Sequence, residues 1–122
     1  MPDRQMEMSD GDVNVASPGA YAVSGVAGDF DGGGHGLFFR DTRHLSRFVL
    51  KIDGKRLVAL GYETWGTAAE ISLEVPGSGL EVVRKRRLGQ GFAEEVEVCN
   101  GSVEPAEARL SFELAADFED VF

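Results

Sequence analysis

Short runs in which apolar and polar side chains alternate, separated by glycine-rich punctuation, dominate the chain. Between positions 106 and 115, Ala106, Ala108, Leu110, Phe112 and Leu114 share one parity, and Glu107, Arg109, Ser111 and Glu113 take the other. That period of two predicts a half-buried strand. Positions 45–52 alternate less strictly, with Phe48, Leu50 and Ile52 on one face, and lead into Asp53-Gly54. This dipeptide suits a two-residue hairpin turn, which needs positive φ at both central positions. The turn would set Leu50 opposite Leu57 and Phe48 opposite Ala59. A second hairpin is expected at Gly89-Gln90, joining Leu80–Leu88 to Phe92–Asn100. Weaker strands are expected at Ala20–Ser24, Gly36–Phe39 and 68–75. No window of a dozen residues carries a helical stripe. The pattern predicts an all-β domain, an antiparallel β-sandwich of about seven or eight short strands over residues 20–122. Residues 1–19 read as a flexible N-terminal tail.

Composition narrows the function classes. The 122 residues suit one domain, and 43% hydrophobic content supplies a core for it. Lys and Arg number 12 against 21 Asp and Glu, a formal charge of −9. Such a field repels nucleic acid and anionic membranes. The single cysteine, Cys99, excludes an internal disulfide and a cysteine-built zinc site, and it reads as a small buried hydrophobe. No apolar h-region follows the first residues, and no stretch approaches the roughly 20 apolar residues of a membrane span. A cytoplasmic location is expected, with neither cofactor nor metal.

The motifs that carry charge have bland readings. Arg84-Lys85-Arg86-Arg87 lies on an expected strand, which splits it between two faces. With a turn at Gly89-Gln90, Lys85 would face Glu94 and Arg84 would face Glu95, giving a solvated, salt-bridged surface. Asp29-Phe30-Asp31-Gly32-Gly33-Gly34-His35 lacks the glutamate of a calcium loop and the Gly-Lys-Ser/Thr of a phosphate loop, so it reads as a flexible surface loop. Glu94/Glu95 and Asp117/Glu119/Asp120 read as solvated carboxylates. His35 or His44 with Asp41 and Ser46 lacks the glycines of a nucleophile elbow and is rejected as a triad.

The densest unusual segment is Gly36-Leu37-Phe38-Phe39-Arg40-Asp41-Thr42-Arg43-His44-Leu45-Ser46-Arg47. One reading has Asp41 organise a turn and pair with Arg40 or Arg43. The other has Arg40, Asp41, Arg43 and His44 face a partner domain or a sugar, because guanidinium forks and aromatic faces suit such surfaces. Trp65 has apolar neighbours in Tyr62, Ile71 and Leu73, which favours the core; exposed, it would offer a ring for sugar stacking, as would Tyr62 and Phe30.

The series Tyr21-Ala22-Val23-Ser24, the Gly/Asp loop, the Arg40-Asp41-Thr42-Arg43 segment and the Asp53-Gly54 turn resembles one known family. So do the later motifs Arg84-Lys85-Arg86-Arg87-Leu88-Gly89-Gln90-Gly91, Asn100-Gly101-Ser102-Val103-Glu104-Pro105 and Ala116-Asp117-Phe118. The family is the N-terminal domain of bacterial and archaeal glycogen-debranching-type, amylo-α-1,6-glucosidase-like enzymes. The resemblance implies a β-sandwich placed before a catalytic (α/α)6 toroid, which carries the acid and base carboxylates of glycoside hydrolysis. Nothing in this sequence corresponds to the toroid. The resemblance therefore implies a non-catalytic domain that docks on the toroid in cis and shapes the α-glucan cleft, with Arg40, Asp41, Arg43 and His44 as contacts. A standalone carbohydrate-binding module using Trp65, or a self-associating β-domain, is the alternative.

Overall fold

The computed structural model describes residues 12–119, and among them there are twelve strands and no helix. The first four-stranded sheet contains β1 (Val13–Ser17), β2 (Ala20–Ser24), β4 (Gly36–Phe39) and β5 (Thr42–Leu45), in the order β1-β2-β4-β5. The second contains β8 (Val58–Thr64), β9 (Ala68–Glu74), β10 (Leu80–Leu88) and β11 (Phe92–Asn100), in the order β11-β10-β9-β8. The third has β6 (Arg47–Ile52) between β3 (Phe30–Asp31) and β12 (Leu110–Ala115), and the short β7 (Lys55–Arg56) pairs with β6. All pairings are antiparallel. The all-β expectation holds, with more and shorter strands than the seven or eight counted from sequence.

The three sheets share one core. Val13, Val15, Ala20, Ala22 and Leu37 enter it from the first sheet. Tyr62, Ile71, Leu73, Val82 and Leu88 enter from the second, and Phe30, Leu50 and Ile52 from the third. Strands β1 and β2 pack on the second sheet. Burying one such Leu or Ile side chain contributes about 1.5–3 kcal/mol. The alternation Val13-Asn14-Val15 thus makes a strand inside the segment read as a tail; positions 1–11 of that tail lie outside the described residues.

Three sequence expectations change. The Asp53-Gly54 turn forms with φ of 53° and 78°, and it pairs Ile52 with Lys55. The ladder stops at Arg56, because Leu57 turns into the core and carries the chain to the second sheet. Leu50 therefore faces Phe112, Phe48 lies between Leu114 and Phe30, and Ala59 faces Leu73. The second hairpin closes on Gly89-Gln90-Gly91 and sets Leu88 opposite Phe92, which moves Lys85 onto Glu95 and Arg86 onto Glu94. The last strand begins at Leu110, not at 106.

Candidate functional site

The β4–β5 hairpin turns on Arg40 and Asp41, with φ of 51° and 66°, between the paired residues Phe39 and Thr42. Both positive φ values belong to a turn that normally takes Asn and Gly, so an arginine here is held against its backbone preference. The Arg40 N–H donates to Gly19 O at 2.9 Å, which anchors the turn to the β1–β2 connection. The Arg40 guanidinium is exposed, and neither it nor the Asp41 carboxylate has an ion pair among the described residues. The expected Asp41 pairing with Arg40 or Arg43 is therefore absent.

Arg43 is committed elsewhere. Its Nε and Nη2 fork onto Asp117 Oδ1 and Oδ2 at 3.1 and 2.5 Å, and its Nη1 donates to Gly33 O and His35 O at 3.0 and 3.1 Å. One side chain ties the glycine loop, β5 and the segment after β12 together, and four of its five N–H donors are taken up in doing so. The guanidinium holds the Asp117 carboxyl below its ordinary range through these hydrogen bonds. Gly36 is required beneath it: a Cβ there would stand 2.5 Å from Arg43 Cδ, at a φ of 154°. His44 is exposed, and its ring meets Phe39 and Phe118 edge-on, each at 5.4 Å between centroids. Of the four loop residues, Arg40, Asp41 and His44 are thus offered to the surface, and Arg43 holds the scaffold.

Strand β12 continues this surface. Leu110, Phe112 and Leu114 stand opposite Ile52, Leu50 and Phe48, so they point to the core side of the third sheet. Yet Leu110 and Phe112 are about two-fifths exposed, and Leu114 and Phe118 more than three-fifths. The core stops covering this sheet at β6, and β12, an edge strand, overhangs it with its apolar row uncovered. The alternation in the sequence found the strand and its faces but could not show that the apolar face lacks a cover.

The basic run is not a solvated surface. Arg84 and Arg86 share the inward parity of Leu80, Val82 and Leu88, and both are almost wholly buried. Arg84 donates to Asp29 Oδ1 at 2.7 Å, to Glu94 Oε2 at 2.8 Å and to Ala27 O at 3.0 Å. Arg86 donates to Glu94 Oε1, Ser24 Oγ and Gly28 O at 2.7, 3.2 and 2.6 Å. The guanidinium of Arg84 also lies over Phe48, and that of Arg86 over Phe30 and Phe92. Burial pushes Arg86 down to about 10, against the pull of Glu94. Ion pairs run outward from here without a break, from Arg86 through Glu94, Arg84, Asp29, Arg56, Asp31 and Arg47 to Glu113 and Lys51. The start of the glycine loop is thereby fixed, not flexible, and Glu94 is a buried partner in place of a solvated carboxylate. Only Lys85 and Arg87 keep the outward orientation expected of the run, with Lys85 paired to Glu97.

Trp65 leaves the core that its neighbours suggested: it is 57% exposed, at the tip of the β8–β9 hairpin. Tyr62 and Phe30 are buried and offer no ring to a sugar. Cys99 is exposed, contrary to its reading as a buried hydrophobe. Among the described residues no three His, Cys, Asp or Glu side chains gather as a metal site.

A family model described as the N-terminal domain of (some) glycogen debranching enzymes matches residues 19–122. No curated protein matches the chain. The matched span takes in both hairpin turns, the buried arginine pair and the whole exposed apolar row, and the chain belongs to this family of glycogen debranching enzyme N-terminal domains.

Proposed function

We propose that this domain is a non-catalytic docking module: it packs on the (α/α)6 catalytic domain of a glycogen debranching enzyme in cis, in the cytoplasm, and shapes one side of the α-glucan cleft. The observation that carries this reading is the uncovered apolar row Leu110, Phe112 and Leu114 with Phe118, on the core side of an edge strand. Such a contiguous apolar face is costly in water and marks an interaction surface. The His44 ring meets Phe118 and Phe39, and Arg40 and Asp41, at the turn that leads into the strand of His44, have no ion pair among the described residues. An apolar centre with charged groups at its rim is the usual anatomy of a protein interface. The acid and base carboxylates would come from the partner: Asp29, Asp31, Glu94, Glu113 and Asp117 are each ion-paired to arginine or lysine.

The test is to mix the purified chain with a separately expressed (α/α)6 debranching domain and to follow association by calorimetry and glucose release from a branched dextrin. Association that is weakened at least tenfold by Leu114→Glu, with release only in the presence of the catalytic domain, is expected. Glucose release by the isolated chain, or association indifferent to Leu114→Glu, would overturn the reading.

A further inference from the structure

A second surface lies on the outward face of the second sheet, on strands that take no part in the β12 overhang. The register sets Ala68, Arg87 and Ala93 in one row across β9, β10 and β11, and Glu70, Lys85 and Glu95 in the next. Two alanines leave the floor low, so a shallow groove of about 290 Å3 opens along these rows, with Trp65 as its wall. That volume is near the lower bound of small-molecule sites, about 300 Å3.

The wall is rigid. Trp65 N donates to Ala68 O at 2.8 Å and Thr67 N to Trp65 O at 2.8 Å, which closes the turn at Gly66 with its φ of 73°. Ala16 N donates to Gly66 O, and Leu88 N to Thr67 O, so β1 and β10 clamp the turn from two sides. A large aromatic ring held in water by a clamped backbone is pre-organised for a flat apolar ligand face. Beside it, Arg87 is exposed and has no ion pair among the described residues, while Glu70 and Glu95 offer acceptors on the neighbouring row. Donors and acceptors of both signs next to an aromatic plane fit a neutral, hydroxyl-rich ring. They do not fit a nucleic acid, whose phosphates the flanking carboxylates repel.

We infer that the groove walled by Trp65 binds a pyranose ring, stacked on the indole, with Arg87, Glu70 and Glu95 holding its hydroxyls; that the ring belongs to an α-glucan chain rests on the proposed function. The site is independent of docking through β12, and the free domain carries it whole. It would hold a branch of the polymer away from the chemistry and raise its local concentration.

Trp65 is the sole tryptophan, so its own emission reports the site. Titration of the chain with maltoheptaose should give a saturable blue shift, with sorbitol at matched hydroxyl concentration giving none. Calorimetry should then show at least a tenfold loss of maltoheptaose affinity in Trp65→Ala, and the same loss in Ala93→Arg, which fills the floor and keeps the indole. Circular dichroism confirms the fold of both variants. An emission unchanged by maltoheptaose, or full affinity in either folded variant, would overturn the inference, whatever the outcome with the catalytic domain.

Discussion

Arg84 Nη1 lies 2.7 Å from Asp29 Oδ1, with both side chains almost wholly buried, and this contact joins the middle of the second sheet to the start of the third. Asp29 Oδ1 also accepts the Leu50 N–H at 3.1 Å, and Oδ2 accepts Arg56 Nη2 at 2.9 Å. One carboxylate thus holds β6, β7 and β10 in place behind the exposed face of the third sheet. Breaking a buried pair from one side leaves a stranded charge, which costs about 3–5 kcal/mol.

Asp29→Ala is therefore expected to lose about 3–5 kcal/mol in urea denaturation at neutral pH. Lys85→Ala, one residue along the basic run but paired in water with Glu97, should leave the midpoint nearly unchanged. Equal effects of the two substitutions would mean that the run is a uniformly solvated surface after all.

Acid should unfold the domain through its paired carboxylates. Asp31, Glu113 and Asp117 are held below their ordinary values of 3.8, 4.5 and 3.8, chiefly by hydrogen bonds from Arg56, Lys51 and Arg43 respectively. Because the folded values are the lower ones, the unfolded chain takes up protons first. The contribution is fully present above the unfolded values and is lost as pH falls through the folded ones. The urea midpoint is expected to stay flat down to about pH 5 and to drop below about pH 4. Asp117→Asn should lower the midpoint at neutral pH and make the acid drop shallower, since one of the three groups no longer titrates.

The strands at Ala20–Ser24, Gly36–Phe39, Leu80–Leu88 and Phe92–Asn100 were legible because alternation and turn chemistry are local. So was the Asp53-Gly54 turn. Which strands neighbour one another was not: β6 takes β12 and β3 as partners, from positions far away in the chain. The inward parity of Arg84 and Arg86 was visible in Leu80-x-Val82-x-Arg84-x-Arg86-x-Leu88. Arginine in such a row is easily taken for surface, because its buried partner, Asp29, lies in a glycine-rich segment with no periodicity. At the candidate site, Arg40, Asp41 and His44 stood out by composition; Arg40 and His44 are exposed and Asp41 is half-buried. Phe118 and Phe112 did not stand out, because exposure of an apolar residue depends on what fails to cover it.

The β4–β5 turn trades stability for its side chains. An L-residue in the left-handed region costs about 1–2 kcal/mol, less for Asp than for Arg. Replacing Arg40-Asp41 by Asn-Gly is expected to raise stability by about 1 kcal/mol, measured by urea denaturation. The same replacement should weaken association with the (α/α)6 domain, because it removes two charges from the turn that leads into β5, whose His44 meets Phe118. A turn that becomes more stable and binds undiminished would assign these residues no part in docking.

The overhang on β12 makes its own prediction for the free domain. Edge strands with uncovered apolar rows pair with one another, so the isolated chain should show a mass that rises with concentration in sedimentation equilibrium. Leu114 is the most exposed residue of the row, and Leu114→Glu is expected to change stability by less than about 0.5 kcal/mol. Phe112 stacks on Phe48 with centroids 5.2 Å apart and rings nearly parallel, so Phe112→Glu should cost more, about 1–2 kcal/mol. Both variants should stay monomeric at concentrations where the parent chain associates, since a carboxylate on the row leaves a charge without a partner at any copy-to-copy contact. If the Leu114→Glu chain associates as the parent does, the copy-to-copy contact lies elsewhere than on this row.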